Sequence, residues 1–125
     1  MKAHQSIFIQ IADLACDRIL SGEYQPDERI PSVRELAAEM EVNPNTAMRS
    51  IERLQQHGII YNKRGLGYFV SPEAKQKIHE MRHANFIGEV LPSVFKEMIL
   101  LDVSFNELAE AYNNYMSNPF KKFKP

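Results

Sequence analysis

Two helix-start signals stand eleven positions apart, at Ser32 and Asn43. Ser32-Val33-Arg34-Glu35 has capping-box spacing, with Ser32 at the N-cap and Glu35 three residues on. Asn43-Pro44 opens the next helix. Asn43 can accept a bond from the first turn, and Pro44 suits a first helical position, where no amide hydrogen is needed. So short a spacing leaves room only for a brief helix and a tight corner. Val33, Leu36, Ala37 and Met40 supply the buried face of the first helix. Ala47, Ile51 and Leu54 point inward from the second, which Gly58 stops after His57.

The flanking segments complete a small fold. From Ser6 to Ser21, Ile7, Ile11, Leu14 or Ala15, and Ile19 recur at helical spacing, and Gly22 ends the run. Glu23 to Pro31 reads as a loop with a short strand at Arg29-Ile30. Ile59-Ile60-Tyr61 and Tyr68-Phe69-Val70 flank a glycine-containing turn and predict a β-hairpin. After Ser71-Pro72, residues 73–101 favour helix, with Pro92 expected to kink or break it near Leu91. Ser104-Phe105-Asn106-Glu107 starts a last helix, reaching about Met116, with Leu108, Ala111, Tyr112 and Tyr115 on its apolar side. The fold class is mainly α with one small β-hairpin. The expected division is a winged helix-turn-helix domain over 1–71, a helical dimerisation element over 72–117, and a basic, flexible tail over 118–125.

Composition narrows the function classes. The chain has 125 residues, 25% of them charged, and a net charge of −1. That length excludes large enzyme folds such as the (β/α)8 barrel, which needs ~200 residues. No apolar run is long enough for a membrane span, and the first residues lack the apolar core of a signal peptide. The single cysteine, Cys16, fits a reducing cytoplasm. Charge is unevenly spread. Residues 43–72 carry Arg49, Arg53, Lys63 and Arg64 against Glu52 alone, whereas acidic residues outnumber basic ones before Asn43. A local basic segment is the electrostatic footprint that nucleic-acid binding requires.

Two short helices joined by a tight turn make a helix-turn-helix, whose second helix enters the major groove by its N-terminal part. The outward residues there are Asn45, Thr46, Met48, Arg49 and Arg53, and Asn and Arg match the paired donor and acceptor pattern of base edges. Arg34, in the first turn of the preceding helix, is placed to hold backbone phosphate. Lys63 and Arg64 lie at the hairpin tip, where Gly65 and Gly67 would let the main chain approach a groove. The partner is double-stranded DNA. A winged helix that binds protein instead is the alternative, and the basic hairpin argues against it.

The run Ile30-Pro31-Ser32-Val33-Arg34-Glu35-Leu36-Ala37 is followed by Val42-Asn43-Pro44-Asn45-Thr46, then Leu54-Gln55-Gln56-His57-Gly58, then Gly65-Leu66-Gly67-Tyr68-Phe69-Val70. Together they resemble the DNA-binding domain of the GntR family of bacterial transcriptional regulators over residues 6–71. The Asn43-Pro44-Asn45-Thr46 segment is similar to the short YtrA subgroup. Many family members carry a DNA-contacting arginine where Pro44 stands, which shifts weight to Asn45, Thr46 and Arg49. The resemblance implies that Ser32, Arg34, Thr46 and Gly67 fall on DNA-contact positions, with Asn43 beside them. It also implies a short two-helix dimerisation element rather than the family's larger effector domains.

Physical chemistry points the same way for the C-terminal part. Phe86, Val90, Leu91, Val94, Phe95, Met98, Ile99, Leu101 and Leu108 are more apolar surface than two helices can bury alone. A second copy would cover it in a two-fold homodimer; folding back onto the winged domain is the alternative. A small-molecule effector site between these helices has no recognisable ligand residues. His79-Glu80-Met81-Arg82-His83 matches a zinc-hydrolase pattern, with His79 and His83 on one helix face. A catalytic zinc needs a third protein ligand and a substrate cleft. No histidine lies downstream, and although carboxylates such as Glu89 and Glu107 do, the chain offers no separate catalytic fold. Metal sensing through His79 and His83 is the milder form of that reading. The main reading requires no catalysis and no cofactor: a DNA-binding transcriptional regulator, acting as a dimeric repressor on an inverted-repeat operator.

Overall fold

A computed structural model of the chain describes residues 5–118. The predicted tail over 118–125 therefore lies outside the described residues, apart from Asn118. The elements run α1 (Ile7–Leu20), α2 (Val33–Met40), α3 (Pro44–Gln56), β1 (Ile60–Lys63), β2 (Gly67–Val70), α4 (Ala74–Asn85), a π-turn (Phe86–Val90), α5 (Leu91–Leu101) and α6 (Phe105–Met116). Two compact units are present, one extending to His83 and the other beginning at Ala84.

In the first unit the apolar stripes meet as their spacing requires. Ile11, Ala12, Ala15, Cys16 and Ile19 of α1 pack with Leu36 and Ala37 of α2 and with Ala47, Ile51 and Leu54 of α3. Of the two candidates on α1, Ala15 is buried and Leu14 is exposed. The capping box at Ser32 forms in full: the Glu35 amide donates to Ser32 Oγ at 3.1 Å, and the Ser32 amide donates to Glu35 Oε1 at 2.9 Å. Those bonds hold the Glu35 carboxyl below its usual pKa. The corner into α3 contains no glycine. Glu41 takes a left-handed conformation (φ 56°), and the Val42 amide bonds the Ala37 carbonyl at 3.0 Å. Asn43 Oδ1 then accepts from the Asn45 amide at 2.7 Å, and Pro44 begins α3.

The hairpin is antiparallel, in register from Ile60–Val70 to Lys63–Gly67. The loop strand expected at Arg29-Ile30 is reduced to one bridge, Arg29 with Phe69, extended by bonds from the Asp27 and Ile30 amides to the Val70 and Tyr68 carbonyls. Cys16 is fully buried, and loss of hydration pushes its thiol up to about 11.

The first unit does not stop at Ser71, where the sequence pattern changes. Ala74 and Ile78 of α4 are buried in the same core, Met81 packs against it, and Arg82 bonds Asp17 of α1 at 3.0 Å. Three turns of α4 thus finish the winged domain, which corrects the expected boundary.

In the second unit the interruption expected near Leu91 takes the form of the π-turn that precedes Pro92. The backbone does not break; it widens into the π-turn, and the Leu91 amide donates to the Phe86 carbonyl, five residues back. The wider turn relieves the clash that a proline ring makes with the carbonyl four residues earlier. Pro92 then sits in the first turn of α5. Ser104 caps α6 by accepting from the Glu107 amide at 3.1 Å.

Because Ile78 is only 1% exposed, Ile78→Ala is expected to destabilise the first unit by about 2–5 kcal/mol. Urea unfolding followed by circular dichroism measures it. A loss of a few tenths of a kcal/mol would mean that α4 is not part of that core.

Candidate nucleic-acid interface

Burial decides which face of α3 is free. Ala47 and Ile51 are 0% exposed and Leu54 is 1% exposed, so the opposite side of the helix faces out. Asn45 and Arg49 are exposed there, and Thr46, Met48 and Arg53 are half-buried. Ser50 is fully buried among the core residues, yet its hydroxyl is satisfied. It donates to the Phe8 carbonyl at 2.8 Å, and the Thr46 carbonyl lies within bonding distance at 3.2 Å. This ties the first turn of α1 to α3. It also brings the Phe8 ring beneath Arg49, whose guanidinium carbon lies 4.2 Å from the ring centroid. A cation held over an aromatic face is partly pre-oriented. Phe8, Arg49, Glu52, Arg53 and Gln56 line a shallow polar cleft of about 280 Å³. His57, next in the chain, has its pKa lowered by burial and by nearby Arg53.

At the start of α2, Arg34 is exposed and Ser32 half-buried. Ser32 Oγ already accepts a bond as the helix cap, so its hydroxyl proton is what it can offer to a phosphate. Asn43 is likewise spoken for: its side-chain oxygen caps α3, leaving its amide group free of that bond.

The wing separates its basic residues. Lys63 ends β1 and lies over the Phe69 ring, its ammonium 4.8 Å from the centroid. Arg64 and Gly65 form the turn itself, and both are exposed. Gly65 has φ 78° and open space where a side chain would sit. Gly67 differs. Its φ is 114°, and an added Cβ would lie 3.0 Å from Arg29 Nε. The glycine at 67 therefore makes room for Arg29 within the protein. At the wing's base, Tyr61 donates to Asp27 Oδ1 at 2.8 Å, which raises the tyrosine pKa.

All the DNA-contact candidates thus belong to one compact unit, in three groups: the start of α2, the outer face of α3, and the wing. Sequence reasoning missed Phe8 and Arg29. Neither carries a local signal, because Phe8 meets Arg49 and Ser50 of α3, and Arg29 meets Leu66 of the wing turn, only once the chain has folded.

Residues 9–70 match the sequence model of the family described as "Bacterial regulatory proteins, gntR family". The HTH-type transcriptional regulator YhcF of Bacillus subtilis is 32% identical over 91% of this chain and 93% of its own length. The chain belongs to the GntR family. It is a DNA-binding helix-turn-helix transcriptional regulator with a winged fold. The HTH-type transcriptional repressor YtrA of Bacillus subtilis is 38% identical over 59% of this chain and 57% of its own length. A solved structure from Bacteroides thetaiotaomicron, described as a regulator of the GntR family, superposes with a TM-score of 0.73. It is 45% identical and covers 90% of this chain and 97% of its own. The likeness of this GntR chain to YhcF and to the Bacteroides thetaiotaomicron structure thus extends beyond the residues of the DNA-binding module.

The metal alternative finds no support. His79 and His83 are exposed one turn apart on α4, with ring centroids separated by 6.1 Å. Among the described residues no group of three or more His, Cys, Asp or Glu side chains stands together as a metal site. Nor is any helix of the described residues long and apolar enough to cross a membrane.

Ser32→Ala is expected to lower the stability of the DNA-free protein by about 1 kcal/mol, since it removes the α2 cap. Chemical denaturation tests this. An unchanged midpoint would mean that Ser32 contributes nothing to the cap and acts on DNA alone.

Proposed function

We propose that this GntR regulator is a cytoplasmic, dimeric repressor that reads an inverted-repeat operator and acts by occluding the promoter. The observation that carries the reading is the exposed polar face of α3, fixed by the complete burial of its opposite side. Asn45, Thr46 and Arg49 read base edges in the major groove. Arg34, with Ser32 and Asn43, holds phosphate at the helix starts. Arg53 is half-buried and contributes charge from the rear of the recognition face. Lys63, Arg64 and Gly65 of the wing follow the backbone, and Gly67 keeps the wing's shape. Repression is favoured by the likeness to YtrA, which is itself described as a repressor. The protein works by binding rather than catalysis.

The dimer is supported by what α5 and α6 leave uncovered. Phe86, Val90, Phe95 and Ile99 are exposed, the last at 76%, and Leu91, Val94, Met98 and Leu108 are half-buried. Leu101 and Tyr112 are exposed as well, and Leu100 and Phe105 add exposed apolar surface that the periodicity does not single out. A patch this rich in large apolar side chains calls for a partner. A second copy covers it by two-fold symmetry and sets two recognition helices on half-sites about one helical turn apart, or a multiple of it. A small-molecule effector that changes this geometry fits the same reading.

Arg49→Ala is expected to cost about 1–3 kcal/mol on a selected operator and little on random duplex. Lys63→Ala should weaken both alike and flatten the salt dependence. Fluorescence anisotropy at several salt concentrations reads both. Equal losses for the two variants on both DNAs would reverse the assignment of roles.

Ile99→Glu places a carboxylate in the proposed seam. Light scattering at micromolar concentration should give a dimer for the parent chain and a monomer for the variant, with the first unit still folded. A monomeric parent would defeat the dimer.

A further inference from the structure

Arg29 does not belong to the helix-turn-helix, nor to either strand of the hairpin, yet it touches both parts of the DNA-binding unit. Its backbone lies against β2, opposite Phe69. From there its side chain runs toward the wing turn, where Nε donates to the Leu66 carbonyl at 3.2 Å. The other end of the guanidinium points back: Nη2 lies 3.9 Å from Glu35 Oε1. That same oxygen accepts the Ser32 amide in the capping box of α2. One planar group therefore spans from the wing turn to the start of α2. Gly67 completes the arrangement, because a Cβ there would lie 3.0 Å from Arg29 Nε and press the arginine out of this position.

We infer that Arg29 is a positioning residue that straps the wing to the N-terminus of α2, and so holds Lys63 and Arg64 in register with Arg34 on one DNA backbone. The inference rests on the proposal that the wing contacts DNA. The chemistry favours positioning over fold stability. Both the hydrogen bond to Leu66 and the longer ion pair with Glu35 are at the surface, where an ion pair contributes little to folding. The guanidinium fork, by contrast, can hold two acceptors at fixed angles, which a lysine ammonium on a flexible stem cannot. A strap of this kind leaves the core unaffected and limits the angles at which the wing can meet the groove.

The test uses the full chain with Arg29→Met and Arg29→Lys. In the DNA-free protein, backbone ¹⁵N order parameters should fall at residues 64–67 in both variants and stay unchanged in α3. On a fluorescein-labelled 30-base-pair random-sequence duplex, both variants should bind about tenfold more weakly, the scale of one lost hydrogen bond to a charged group. In a Lys63→Ala/Arg64→Ala background, Arg29→Met should cost less than twofold further, because the wing it positions no longer holds phosphate. If Arg29 were itself a phosphate contact, Arg29→Lys would bind like the parent chain and Arg29→Met would lose the same factor in both backgrounds. Either result overturns the strap, as do unchanged order parameters at 64–67. If the Lys63→Ala/Arg64→Ala protein binds as tightly as the parent chain, the wing's role on DNA fails. The order parameters then decide the strap by themselves.

Discussion

Everything on the DNA-facing side depends on how α3 is buried. Ala47, Ile51 and Leu54 lose essentially all contact with water, and each large buried side chain contributes about 1.5–3 kcal/mol of driving force. Rotating α3 enough to offer a different face would expose that set. The helix therefore has one permitted orientation, and the polar residues between the apolar ones inherit theirs from it. The buried Ser50 hydroxyl adds a directional constraint that apolar packing lacks, since its bond to the Phe8 carbonyl is satisfied in only one register of α1 on α3.

The proposed reading surface is built with few dedicated parts. Ser32 caps a helix before it can meet a phosphate, Asn43 does the same, and Lys63 rests on Phe69. Side chains that already have internal partners lose less freedom when DNA arrives, so less of the binding free energy is spent on ordering them. Arg49 over Phe8 fits that pattern.

What could be read from the residues alone was whatever is decided within a few positions. The capping box, the Asn43-Pro44 start and the two apolar runs around the glycine-containing turn of the hairpin are local, and they formed where the pattern put them, to within a residue or two. The corner after α2 was legible only in its consequence, because Glu41 carries no signal for a left-handed conformation. At Pro92 the local rule was sound but incomplete: a helix can absorb proline by widening, and the single-residue rule does not include that option. The extent of the first unit and the roles of Phe8 and Arg29 depend on contacts between segments far apart in the chain, such as Arg29 with Leu66. Composition and periodicity do not encode such pairings.

The left-handed conformation of Glu41 also bears on how this chain can change. A residue with a Cβ is held there at φ 56° at some cost, where glycine would sit without it. A glutamate codon is one base from a glycine codon, so a less strained corner is within reach of a single mutation. That change would also give the unfolded chain more freedom, which offsets part of the gain. The corner between the two helices is thus a place where the lineage can adjust stability by small steps in either direction, while the residues that face the groove remain as they are.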